Sequence, residues 1–219
     1  LKWFADKTVG AVSCLKKPVG SKVKEVEKSY RQYYNVLRIA ESKAYATPIF
    51  HGELAAFRRN LLEKVGGFPA DIGADDSHAA TKITLMGYRT IIPEDLWVEE
   101  LVPNKGYSKW RIRRAQHLIQ HFTKTLREIK KAPKEFRKIL AVEAFLHLFN
   151  PWILLVSTLL FVLSIAMLCS LIASALLIVG IVLLTVKLYR TWIAQQIHLI
   201  VASIRNLWTK EIAWSKQAK

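Results

Sequence analysis

Asp75 and Asp76 stand side by side in GGFPADIGADDSHAATKITLMGYR, the stretch from Gly66 to Arg89. A helical pattern begins at this pair. Aspartate in a first turn caps free backbone N–H groups and suits the positive end of the helix dipole. One carboxylate is enough for that task. Two adjacent carboxylates repel and drive their proton affinities apart, so the pair is a candidate acid/base or metal site. Two further segments hold residue types fit for chemistry: IFHGE, with His51, Gly52 and Glu53, and RIRRAQ, with Arg111 and Arg114. Alone, His51 reads equally well as an ordinary loop histidine, and the arginines read as a solvated or lipid-facing basic turn.

The elements that must position these residues alternate between strand and helix. TVGAVSCL (Thr8–Leu15) has the β-branched, apolar character of a buried strand, which KKPVGS then breaks. From Glu25 to Ser42, Val26, Tyr30, Tyr33, Leu37 and Ala40 recur in steps of four and three, which predicts an amphipathic helix packed on that face. TPIFHGELAAF reads as a short strand interrupted by Gly52. NLLEKVGGF reads as a compact helix capped by Asn60 and Glu63 and ended by Gly66–Gly67. The helix starting at the aspartates carries Ala79, Ile83 and Met86 on one face and stops at Gly87, and YRTIIP follows as a strand. This order predicts an α/β sheet with ligands gathered at loops past strand ends.

Beyond residue 115 the character changes. Residues 116–148 are strongly basic, with apolar Leu118, Phe122, Leu126, Ile129, Phe136, Ile139 and Leu140 segregated as in an interfacial helix pair kinked at Pro133. Residues 152–186 contain no charged side chain, about twice the roughly 20 residues one crossing needs. A transmembrane helical hairpin over 149–188, turning near Cys169–Ser170, is expected. Residues 189–219 are expected to hold a membrane-surface helix (Trp192–Trp208) and a tail carrying Lys210, Lys216 and Lys219. The formal charge is +16, and its excess flanks the apolar run on both sides. That distribution fits an anionic cytoplasmic leaflet with both hairpin ends inside, rather than nucleic acid. Cys14 in a strand and Cys169 in the apolar run support neither a disulfide nor a thiolate metal site.

Four segments, FHGELAAFRRNLLEKVGGF, DDSHAATKITLMGYR, EELVP and RIRRAQ, occur in that order at close intervals over residues 7–120. Together they resemble the second half of the catalytic domain of membrane-integrated family-2 glycosyltransferases, the inverting GT-A group that includes cellulose, chitin and hyaluronan synthases. The resemblance implies that residues 1–115 form the C-terminal half of a GT-A domain. It implies that Asp76 is the general base that deprotonates an acceptor hydroxyl, with Asp75 tuning it, and that His51, Gly52 and Glu53 lie beside the acceptor. It also implies that Arg114 and Arg111 face the donor diphosphate. RIRRAQ departs from the family's QxxRW, with Arg111 for the Gln and Ala115 for the Trp that stacks an acceptor sugar in polymer synthases, so the resemblance carries less weight for processive synthesis. The expected donor is a UDP- or GDP-sugar, the acceptor a lipid or glycan, and the cofactor Mg²⁺ or Mn²⁺. The family's metal-binding DxD does not occur here, so its ligands are expected in a missing N-terminal half and this sequence is expected to be an inactive fragment. Two other classes remain on the residues alone: a non-enzymatic adaptor that binds anionic lipid through its basic helices, and a nucleic-acid-binding membrane protein, for which there is no recognition motif.

Overall fold

Cys14 alone separates two strands that belong to different sheets. The computed structural model describes residues 2–20 and 25–209. Strand β1 (Val9–Ser13) is fully buried and central: it pairs antiparallel with β3 (Ala55–Phe57) and parallel with β4 (Arg89–Ile91). Strand β2 (Leu15–Val19) pairs in parallel with β5 (Trp97–Leu101) in a second, two-stranded sheet. The expected break at KKPVGS is therefore corrected. The chain breaks one residue before Leu15, and Lys16, Lys17 and Pro18 continue as strand. Proline is tolerated because β2 has a strand on one side only.

Helix α1 (Glu25–Ala44) forms where the periodicity placed it, but the expected buried face is not the one the fold uses. Tyr33 is 48% exposed and Ala40 is exposed, while Glu27, Arg31, Asn35, Arg38 and Glu41 are buried. The inner face of α1 is charged. TPIFHGELAAF yields only the three residues of β3, and the preceding segment is a loop. Helix α2 (Arg59–Lys64) has Arg58 at its N-cap with no side-chain cap, because Glu63 is engaged by Arg59 at 2.8 Å rather than reaching back to Asn60. Helix α3 (Asp75–Leu85) starts at the aspartates and buries Ala79 and Ile83, whereas Met86 lies beyond its end and is half-exposed.

Helix α4 (Tyr107–Leu126) and helix α5 (Lys134–Leu148), the latter entered through Pro133, carry the basic stretch. Two expectations change here. The boundary at residue 115 falls inside α4, and the apolar residues thought to face lipid turn inward. Phe122, Phe136 and Leu140 are fully buried in one cluster with Ala46 and Ile49, with Leu118, Leu126, Ile129 and Ile139 packed against it. Helix α6 (Asn150–Leu168) and helix α7 (Leu171–Leu183) form a hairpin that turns at Cys169–Ser170, Cys169 adopting a left-handed φ of 46° and Ser170 capping α7. Among the described residues, α6 is long and apolar enough to cross a membrane, and α7 meets helix α8 (Lys187–Arg205) at a 104° bend. Leu199 and Ala202 of α8 pack on Ala115 and Ile119 of α4, so its inner side belongs to the protein body. Lys210, Lys216 and Lys219 lie outside the described residues. Both cysteines are free.

Candidate active site

Two serines fix the loop before β3. Ser13, at the end of β1, accepts the His51 N–H through Oγ at 2.9 Å and shares its own hydrogen between the carbonyls of His51 and Leu54, both at 3.0 Å. Ser77, in the first turn of α3, accepts the Phe50 N–H at 3.0 Å. The loop is thereby clamped to strand on one side and helix on the other, which brings Gly52 against Asp76. A methyl group on Gly52 would sit 3.2 Å from Asp76 Oδ2. Glycine here leaves the approach to that oxygen open.

Asp76 uses its two oxygens differently. Oδ1 accepts the Ser77 N–H at 2.7 Å, while Oδ2 faces Gly52 at the wall of a cavity of about 550 Å³. Asp75 spends Oδ1 on the Asp76 N–H at 3.0 Å. Ala74 holds the N-cap position without a side-chain bond, so the pair is not a conventional helix cap. Burial raises the Asp76 carboxyl to about 6. The Ser77 N–H works against that rise, and the Asp75 charge adds to it. A carboxylate with that affinity is mostly ionised at pH 7 yet basic enough to take a proton.

His51, Gly52, Glu53, Asp75, Asp76, Arg111 and Arg114 all line this one cavity. The arginines, however, are held in a network that the sequence did not reveal. Arg114 donates to Glu100, lies 3.9 Å from Glu53 and stacks over the Trp110 ring at 4.8 Å. Arg111 lies 3.9 Å over the Tyr30 ring, 3.4 Å from Glu27, and donates to Gln195. Lys16 reaches Glu53 at 2.5 Å and Glu100 at 3.0 Å, and Arg31 pairs with Glu27 at 3.0 Å and with Glu100. Burial works to raise the Glu100 carboxyl, but Arg114, Arg31 and Lys16 hold it well below the usual carboxylate range. Lys16 is lowered to about 8, by burial first and then by Arg114 and Arg31. Burial and the same cations keep His51 neutral. Lys16, Arg31, Glu27 and Glu100 were missed because their partners Glu53, Glu100, Arg111 and Arg114 come from distant segments, although Glu27 and Arg31 also pair with each other four residues apart. EELVP was the one available signal, since it contains Glu100.

The cations form a positive lining at one side of the cavity and Asp76 a negative point at another. Among the described residues, no group of three or more His, Cys, Asp or Glu could hold a metal ion. Glu53 and Glu100 are committed to the cations. The residues present therefore do not fit the divalent metal that the family implies, and no step here runs through one.

A mixed α/β body with a carboxylate facing a cation-lined cavity fits a GT-A-like glycosyltransferase fold. The comparisons agree. Residues 2–189 match the family model described as glycosyl transferase family group 2, and the chain belongs to that family. Among solved structures it is similar to the mannosyltransferase PcManGT from Pyrobaculum calidifontis, in complex with GDP-Man and Mn²⁺. The identity is 56% over 96% of this chain and the TM-score is 0.83. The chain spans 57% of that chain's length. No curated protein matches it.

Proposed function

We propose that this chain carries the acceptor side of an inverting glycosyltransferase that moves mannose from GDP-mannose to the hydroxyl of a membrane-anchored acceptor. The observation that carries the reading is Asp76 Oδ2, free of a helix-cap bond, raised in basicity and open to the cavity across Gly52. An alcohol is a poor nucleophile at neutral pH. A carboxylate within reach removes its proton as the new C–O bond forms, and such general-base help is worth roughly 10²–10⁴ in rate. The bond to the departing GDP breaks as that bond forms, on the opposite face of the sugar, which inverts the anomeric carbon. Arg114 and Lys16 stabilise the negative charge that builds on the leaving diphosphate. The relative's GDP-Man narrows the donor from any UDP- or GDP-sugar. Its Mn²⁺ supports a divalent metal whose ligands lie outside the described residues.

The hairpin of α6 and α7 presents exposed leucines, isoleucines and valines on all sides, and basic residues flank it. We place it in the membrane, with the cavity at the cytoplasmic face. The test is Asp76→Asn in the complete enzyme, with GDP-mannose consumption and product both followed. Transfer is expected to fall at least a hundredfold with donor affinity retained. Unchanged transfer would remove Asp76 from the chemistry.

A further inference from the structure

Three carboxylates serve the cations of the catalytic cavity, and Glu53 is the one that lines the cavity itself, while Glu27 and Glu100 stand behind its wall. Glu53 sits at the exposed tip of a tight turn, closed by the Leu54 N–H donating to the His51 carbonyl at 3.3 Å. Its two oxygens go to different cations, Oε2 to Lys16 at 2.5 Å and Oε1 towards Arg114 at 3.9 Å. The same two cations also meet on Glu100 Oε1. Glu100 is buried and binds Arg31 as well, so it is locked among three cations and keeps them in place. Glu53 spans two of them from the open side, and rotation about its own side-chain bonds is enough to free it. The base of its turn stays pinned to Ser13 and Ser77, so no backbone has to move.

Charge counting gives that release a meaning. With Glu53 paired, the four cations Lys16, Arg31, Arg111 and Arg114 face three carboxylates. With Glu53 turned away they face two, and the surplus of two positive charges equals the charge on the diphosphate of a nucleotide sugar. Phosphate oxygens take the same charge-assisted hydrogen bonds from Lys and Arg that a carboxylate does. Glu53 thus holds an anion's place. A competitor tethered to the site acts at an effective concentration of roughly millimolar, so it weakens every anion that needs those two cations.

We propose that Glu53 is a resident competitor for the donor's diphosphate: it holds Lys16 and Arg114 until the nucleotide sugar displaces it, and returns to them as the nucleoside diphosphate leaves. The inference rests on the glycosyltransferase reading above and gives Glu53 a part in that reaction other than the acceptor contact the family resemblance implies. It sets how tightly the site grips donor and product alike. No covalent bond changes in the exchange; one anion replaces another on the same two cations.

The test is Glu53→Gln in the complete enzyme, with GDP and guanosine titrated by calorimetry while Mn²⁺ is held constant. Glutamine keeps the size of the side chain and removes its charge. GDP is expected to bind about tenfold more tightly than to the parent and guanosine equally, and GDP should inhibit transfer with the same tenfold gain. Glu53→Asp, one methylene short of spanning both cations, should gain about threefold. If Glu53 instead served to hold the two cations in place, losing its charge would weaken GDP binding. Weaker or unchanged GDP binding in both variants would overturn the proposal. So would a change in acceptor KM alone, the mark of an acceptor contact. Adding Asp76→Asn should stop transfer and leave the tighter GDP binding of Glu53→Gln intact. Failure of the competitor and failure of the catalytic assignment are therefore read on different measurements.

Discussion

Replacing Asp76 by Asn should stabilise the protein while stopping transfer, and the stabilisation should depend on pH in one direction. An aspartate in an unfolded chain ionises near 3.8, whereas Asp76 in the fold ionises near 6. The native state therefore holds the proton longer, and stability falls as pH rises from about 4 through 6. The favourable term is fully present below the unfolded value and gone above the folded one. A gap of roughly two pH units corresponds to about 3 kcal/mol at 1.36 kcal/mol per unit. Asparagine keeps the shape and can still accept the Ser77 N–H, but it carries no charge to bury. Asp76→Asn should therefore match the parent protein near pH 4 and exceed it by roughly 6–12 °C in Tm at pH 8, taking about 2–4 °C per kcal/mol for a chain of this size. Thermal melts of the complete enzyme in detergent across pH 4–8 measure the gap. The opposite sign is informative. If the charge on Asp76 served to fasten α3, losing it would lower stability at neutral pH. A variant less stable than its parent at pH 8, or a gap that does not change with pH, would refute the argument.

Transfer itself should follow a bell in kcat/KM, rising through about pH 6 as Asp76 ionises and falling through about pH 8 as Lys16 loses its proton. In Lys16→Arg the alkaline limb should disappear, which a pH profile reads directly. Glu143→Ala should cost about 3–5 kcal/mol in chemical denaturation, because it strips the 2.7 Å partner from a fully buried Arg38 and leaves that cation with Glu41 alone. Gly73→Ala would drive a methyl into the His117 ring. Melting should show a loss of about 1–3 kcal/mol, with transfer reduced because His117 lines the catalytic cavity.

What the sequence disclosed and what it hid divide along one physical line. Signals local to the chain were legible. These include the start of α3 at the aspartates, Gly66–Gly67 after α2 and the turn of the apolar hairpin at Cys169–Ser170. Each depends on backbone conformation or on a run of hydrocarbon, which a short window contains. The charged inner face of α1 was not legible. Burying Glu27, Arg31 and Arg38 relies on the local pairs Glu27–Arg31 and Arg38–Glu41 and also on Arg111, Glu100 and Glu143, which arrive from segments 69–105 residues away, where no local window reaches. The tyrosines that mark an apolar stripe on α1 instead face a groove, so the periodicity identified a real surface and assigned it to packing. Lys16 read as a chain breaker for the same reason, its counter-ions lying 37 and 84 residues ahead.

The arrangement of those buried charges bears on how the site works. Lys16, Arg31, Arg111 and Arg114 are opposed by Glu27, Glu53 and Glu100, four cations against three carboxylates, with Asp76 across the cavity. Four cations alone would repel one another and would not stay buried, and a neutral set would give a diphosphate nothing to bind. Near-balance lets the cluster hold its geometry while one positive charge remains for an incoming anion. Glu53 is the most exposed of the three carboxylates, its side chain 30% accessible against 4% or less for Glu27 and Glu100. It sits on the same loop as Gly52 and touches both Lys16 and Arg114. On the proposed function, a diphosphate that paired with those two cations would compete with Glu53, on the loop whose Gly52 faces Asp76.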